Sequence, residues 1–272
     1  MPTRTIAFIG LGAMGGAMAE SLLKKQFRVS GYDMRPEAVA HLTKIGGRGA
    51  ATAEEAARNA DMLILMVVNA DQAENALFDK DALEALKLDA TVVLCSTCAP
   101  DRIEAIARRV EKSGRSFVDA PVSGGVTGAK AGTLTIMAAA KNDVFAKAKP
   151  VLSAMGTNLF HLGEKPGQGA AMKIVNQLLC GVHIAVAAEG LAFAERAGID
   201  PKLALEVLSG SAAQSWMLRN RGPKMVDYDD VITSAVDIFV KDLALVMDAG
   251  RGAKMGLPLA DRKSTRLNSS HQ

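Results

Sequence analysis

At 272 residues, 49% hydrophobic and 22% charged, the chain is long enough for two domains and a sizeable core, which excludes disorder as its default state. Its 32 Lys and Arg against 29 Asp and Glu leave a net charge of +3, too small and too scattered for a nucleic-acid surface but compatible with small anionic substrates. Three cysteines, an odd number, argue against a secreted disulfide framework and for a reducing, cytoplasmic setting.

Residues 1–5 lead straight into an apolar strand with no signal-peptide pattern, and no run along the chain is expected to reach the length of a membrane span. Ile6 to Ile9 form a short apolar run, Gly10 to Gly15 break it, and Ala17 to Lys25 have helical spacing. Phe27 to Tyr32 gives a second strand ending at Asp33, and Pro36 opens a second helix. Met62 to Val68 and Thr91 to Cys95 are unbroken apolar runs, as expected of strands buried on both faces. A helix from Pro100 to about Lys112, a strand at Ser116 to Val118, the loop DAPVSGG and a strand at Thr133 to Ala138 continue the alternation. This order predicts an α/β fold, a doubly wound and mostly parallel sheet, over residues 1–162.

From there the spacing becomes helical, which predicts an all-helical domain over residues 163–260. A long helix runs from about Gln168 to Ala197 and is ended by Gly198, with helices restarting after Pro201, near Ser211 and near Ser234. Asp261 to Gln272 abandons apolar periodicity for basic and small polar residues. That stretch, residues 261–272, reads as a non-native tail that leaves the helical domain incomplete.

Gly10, Gly12 and Gly15 form GxGxxG between a strand and a helix, with Asp33 at the end of the next strand. In that context the first glycine permits the turn, the second lets backbone approach a pyrophosphate at the helix N-terminus, and the third allows close helix packing. The segment Gly10, Gly12, Ala13, Met14 and Gly15 is therefore the candidate cradle for a dinucleotide. Asp33 would accept hydrogen bonds from the adenine ribose and repel a 2′-phosphate, which favours NAD over NADP, although Arg35 leaves room for tolerance.

Ser96 and Thr97 follow a buried strand at the end where doubly wound sheets bind ligands, within reach of a nicotinamide. Ser123 and the amides of Gly124 and Gly125 offer donors that converge well on a carboxylate. Cys95 and Cys98 make a CxxC without a second metal-like pair, so they are read as packing, and Trp216 and Phe239 as core aromatics. Lys241 in an apolar helical run needs a partner, either a neighbouring acid or the cofactor.

The remaining candidate is Lys173, which follows the glycine-broken segment 163–169 on the first turns of the long helix. Helical periodicity puts Gly169, Lys173, Asn176, Gln177 and Cys180 on one face, so an ammonium and two amides point together. The positive end of the helix dipole disfavours a cation there and helps a lysine exchange protons.

Taken together, FIGLGAMGGAMA, CSTCAP, DAPVSGG, the GxGxxxKxxN of residues 167–176 and FVKDL resemble, in order, the β-hydroxyacid dehydrogenase family. The resemblance implies a Rossmann domain followed by a helical domain, in a cytoplasmic homodimer or homotetramer. It implies Lys173 as catalytic acid or base, Ser123, Gly124 and Gly125 on the substrate carboxylate, and Thr97 and Lys241 at cofactor-contacting positions. Many members carry Asn four residues after the lysine, where this chain has Gln177 preceded by Asn176, which alters the substrate contact. With QLLCGVHIAVAAEG and SWMLRNR, that departure resembles the branch acting on the four-carbon sugar acid L-threonate. Alternatives are the branches acting on 3-hydroxyisobutyrate or tartronate semialdehyde, and, in another class, a dinucleotide-binding sensor without catalysis, which would not need Lys173.

Overall fold

The computed structural model describes residues 4–227 and 236–261. Nine strands form one sheet: β1 (Thr5–Ile9), β2 (Arg28–Tyr32), β3 (Arg48–Gly49), β4 (Met62–Leu65), β5 (Thr91–Leu94), β6 (Ser116–Asp119), β7 (Val122–Ser123), β8 (Thr135–Ala139) and β9 (Asn158–Gly163). Their order is β3-β2-β1-β4-β5-β6-β8-β7, with β9 on β8. The first six are parallel, β8 runs antiparallel to β6 and β7, and β9 is parallel to β8. The order 3-2-1-4-5-6 is the dinucleotide-binding doubly wound arrangement.

Helices cover both faces: α1 (Ala13–Lys24), α2 (Pro36–Lys44), α3 (Ala53–Ala57), α4 (Ala70–Glu74), α5 (Ala82–Ala85), α6 (Pro100–Lys112), α7 (Gly125–Ala131) and α8 (Asn142–Met155), with a π-helical turn at Asn75–Asp79. Strand alternation divides the core accordingly. Ile6 and Phe8 of β1 join Met18 and Leu22 of α1 on one face. Ala7 and Ile9 join Leu63, Leu65 and Ile103 on the other, which is why these strands carry no polar stripe.

The chain divides into two compact units, 1–173 and 174–272, and α9 (Gln168–Arg196) runs through the division. The second unit is helical in its described residues, with α10 (Pro201–Gly210), α11 (Trp216–Val226) and α12 (Val236–Gly252). Ala187, Leu191 and Ala194 of α9 pack with Ala204 and Leu218. Ile174 packs with Leu243, Val246 and Ala260. The helix start anticipated near Ser234 lies outside the described residues, as do residues 262–272 of the stretch read as a tail. Asp261 is described, and its N–H donates to the Leu257 carbonyl at 3.0 Å.

Elements that the sequence reading did not place include β3, the short helices α3, α4 and α5, and α8 and β9. The first four side chains of β9 alternate between exposed and half-buried and none of the six is fully buried, so no buried apolar run marks it. A further expectation is overturned by α9, whose 29 residues include a window of mean hydropathy 1.5, long and apolar enough to cross a membrane. Amides, a histidine, a glycine and alanines interrupt its aliphatic residues, yet no charge falls between Lys173 and Glu189. Within the chain only 22% of that window is buried. Length and composition alone do not separate a membrane span from a helix that packs against another protein surface.

Candidate active site

The turn after β1 is shaped by what its glycines must avoid. Gly10 has φ of +89°, and a Cβ on it would lie 2.3 Å from the Met66 carbonyl oxygen. A Cβ on Gly15 would lie 1.9 Å from the Gly10 carbonyl oxygen. Gly12 is under no such pressure, since the nearest atom to its Cβ would be Arg35 Nη2 at 3.4 Å, so the fold leaves that side open for another molecule to approach. Gly12 caps α1 without a side-chain hydrogen bond, and no acid stands in the first turn. Its amide groups and the positive end of its dipole thus suit a phosphate.

Asp33 is tied to the same turn. The Leu11 N–H donates to its Oδ2 at 2.7 Å, and the Arg35 N–H and Nε donate to its Oδ1 at 2.9 and 3.1 Å. Burial works to raise the pKa of this carboxyl, but the hydrogen bonds from Arg35 and Leu11 outweigh it and hold Asp33 below the usual carboxylate range. A nucleotide fits these residues: donors for a pyrophosphate, an open glycine and an ionised acid beside it.

At the ends of β4 and β5 the two candidate hydroxyls part company. Ser96 Oγ donates to the Val67 carbonyl at 2.7 Å and accepts from the Val67 N–H at 3.0 Å, so it staples two loops together. That corrects the expectation that Ser96 faces a ligand. Thr97 is half-buried beside it. Cys95 and Cys98 are buried, and burial first, with the charge of Asp119 second, pushes the Cys95 thiol up to about 12. Such a thiol is inert at neutral pH, in line with a packing role.

Ser123 ends β7, and Gly124 and Gly125, with φ of +126° and +61°, lead into α7. All three are at least partly accessible. Lys173, by contrast, is 7% exposed, on the second turn of α9. Asp119, at the end of β6, holds the start of that helix: its Oδ2 accepts from the N–H groups of Gly167 and Ala170, both at 2.9 Å. Sequence reasoning passed over Asp119 as part of a loop motif, since its partners lie far along the chain.

In the helical unit the polar residues of α9 and α12 form one network. Asn176 Nδ2 donates to Gln177 Oε1 at 2.9 Å, and Gln177 Nε2 donates to Asp242 Oδ2. Lys241 lies 3.0 Å from Asp242 Oδ1, as an ion pair off the hydrogen-bonding direction. The neighbouring acid is thus one partner of Lys241, and both ends of the Gln177 amide are engaged. Asp242, buried and central to this network, is the acid expected beside Lys241, but its bond to Gln177 was not anticipated. Phe239 is half-buried, whereas Trp216 is half-exposed at the start of α11 and does not join the core.

Comparison with known proteins bears directly on this arrangement. The model for the NAD binding domain of 6-phosphogluconate dehydrogenase matches residues 5–163, and that for the NAD-binding region of NADP-dependent 3-hydroxyisobutyrate dehydrogenase matches 167–272. An L-threonate dehydrogenase of Cupriavidus necator is 41% identical, over 95% of this chain and 87% of that protein. The chain belongs to the β-hydroxyacid dehydrogenase family. A 3-hydroxyisobutyrate dehydrogenase of Pseudomonas aeruginosa is 39% identical over 80% of this chain and 73% of its own. The crystal structure of a 3-hydroxyisobutyrate dehydrogenase from Salmonella typhimurium superposes with a TM-score of 0.92 at 39% identity, covering 98% of this chain and 94% of that one. As a β-hydroxyacid dehydrogenase the chain is an NAD(P)-dependent oxidoreductase acting on the CH–OH group of hydroxy acids.

Proposed function

We propose that this β-hydroxyacid dehydrogenase oxidises L-threonate to 2-dehydro-L-erythronate with NAD in the cytoplasm. The observation that carries the substrate is the near full-length likeness to the Cupriavidus necator enzyme. Likeness to the Pseudomonas and Salmonella proteins favours a second reading, 3-hydroxyisobutyrate. Rates of NAD reduction over a panel of three- and four-carbon hydroxy acids separate the two: L-threonate should lead the panel, and a lead for 3-hydroxyisobutyrate would reverse the assignment.

Lys173 takes the hydroxyl proton of the substrate during oxidation and returns it during reduction. Ser123 and the amides of Gly124 and Gly125 receive the substrate carboxylate, while Asn176 and Gln177 orient the sugar-acid hydroxyls. The turn from Gly10 through Gly12, Ala13, Met14 and Gly15 holds the pyrophosphate, Asp33 the adenine ribose, and Thr97 and Lys241 the nicotinamide half. Bound there, the dinucleotide supplies the hydride acceptor. Support for the base comes from the burial of Lys173, since a lysine withdrawn from water near a helix N-terminus is suited to proton exchange.

NAD is preferred to NADP because an ionised Asp33 opposes a 2′-phosphate. Asp33→Ser should relax that preference by releasing Arg35, which the carboxylate holds at 3.1 Å, to meet the phosphate. The ratio of kcat/KM for the two cofactors measures it. Equal efficiency with NADP in the unaltered protein would contradict the role given to Asp33.

The α9 helix also supports self-association as a homodimer or homotetramer. Met172 (41%), Val175 (48%), Leu179 (51%), Val186 (58%) and Phe193 (76%) are exposed at spacings of three, four, seven and seven residues. That spacing supports a seam of one helix packing along another, while the polar residues Lys173 and Gln177 face inward. Each aliphatic side chain covered contributes about 1.5–3 kcal/mol, so Leu179→Asp with Val186→Asp should yield monomers in light scattering. Partition of the unaltered protein into lipid vesicles would instead favour a membrane as the covering surface.

A further inference from the structure

We propose that Asp119 is a positioning residue for the reaction: its carboxylate, supplied from the end of β6, caps α9 from outside the helix and fixes the turn that presents Lys173. The inference rests on the reading of Lys173 as the acid or base.

The residue before α9 is Gly167, which has no side chain to cap the helix, and no acid stands in the first turn. Asp119 takes over that task. Its Oδ2 receives the N–H of Gly167 and of Ala170, and the N–H of Gly169 points at the same carboxylate. The fit is close, since a Cβ on Gly169 would lie 3.0 Å from Asp119 Cγ and 2.4 Å from the Met137 carbonyl oxygen. Lys173 follows one turn further along. The other oxygen, Oδ1, is buried without a hydrogen-bond partner among the described residues.

The surrounding groups are few. Cys95 faces the carboxylate from the end of β5, Glu104 of α6 lies against Gly167, and β8 brings apolar Ala139 opposite it in the ladder. Lys173 is the cation in the first two turns of α9. Burial raises the Asp119 carboxyl to about 6 against the pull of the backbone N–H groups. With a folded pKa above the ordinary value, its contribution to stability is complete below the ordinary carboxylate range and is lost as pH rises through about 6. The fold alone is therefore better served by a neutral group, whereas the charged form makes the stronger cap.

The test compares Asp119→Asn, Lys173→Met and the unaltered enzyme in kcat against pH, with NAD affinity measured beside it. Asp119→Asn should lower kcat about tenfold or more, leave NAD affinity within about threefold, and remove an acid limb near pH 6. If Lys173→Met is inactive while Asp119→Asn keeps most of its kcat or its acid limb, the inference is overturned and the role of Lys173 stands. A fully active Lys173→Met overturns the reading of the lysine itself. Should Asp119→Asn fail to fold, amide exchange in the unaltered protein decides. In fraying of the helix start, Asp119 stays buried and loses only the N–H bonds that lower its pKa, so protection at Gly167 and Ala170, corrected for intrinsic rates, should rise as pH climbs through about 6, and a flat or falling profile would contradict the cap.

Discussion

Lys173→Met and Lys173→Ala should each cut turnover by about a hundredfold to ten-thousandfold while NAD affinity changes little. The lysine is buried on the second turn of α9, whereas the proposed sites for the pyrophosphate and adenine ribose lie in the β1–α1 turn and at the end of β2, so the proposal assigns the proton transfer and most of the cofactor contacts to different segments. Methionine keeps the length and apolar stem of lysine and loses the proton-carrying nitrogen, which makes it the cleaner of the two substitutions. Titration calorimetry with NAD and steady-state rates on the same preparations separate the effects. Retention of most of the rate would move the acid or base elsewhere, and loss of NAD binding would make Lys173 part of the cofactor site.

Gly169→Ala is the second large effect. The added methyl would stand 2.4 Å from the Met137 carbonyl oxygen, a backbone atom that cannot swing aside, so the first turn of α9 must shift. Overpacking of that kind costs about 1–3 kcal/mol of stability. Displacing a catalytic group by about 1 Å can cost about a hundredfold in rate. Gly190→Ala in the same helix is the control, because nothing lies within 4 Å of its Cβ. There the helix should gain about 1 kcal/mol from replacing glycine by alanine. Melting temperatures and kcat for both variants check the pair, and equal behaviour would contradict the close approach at Gly169.

What could be read from sequence was what depends on neighbours in the chain. The glycine turn and Asp33 are local features, and the apolar runs of β1, β4 and β5 declare strands buried on both faces. Gly163 to Lys173 announces a turn entering a helix. What could not be read depends on partners far away. Asp119 meets Gly167 and Ala170 across 48 and 51 positions, and Gln177 meets Asp242 across 65. Ser96 looked available because hydroxyls after a strand often are, and only the packing of two loops engages both its donor and its acceptor. The burial of α9 was hidden for another reason: Ile174 and Leu191 are buried on the same helix as Lys173 and Gln177, while Val175, Leu179 and Val186 are exposed, so apolar residues lie on both faces and no single stripe marks the core side.

The most direct test of the account is to follow the hydrogen. L-Threonate carrying deuterium at carbon 2, incubated with NAD and the full chain, should yield reduced cofactor bearing that deuterium, at a rate well above that of 3-hydroxyisobutyrate under the same conditions. Reduced cofactor without the label, or none formed from L-threonate, would contradict it.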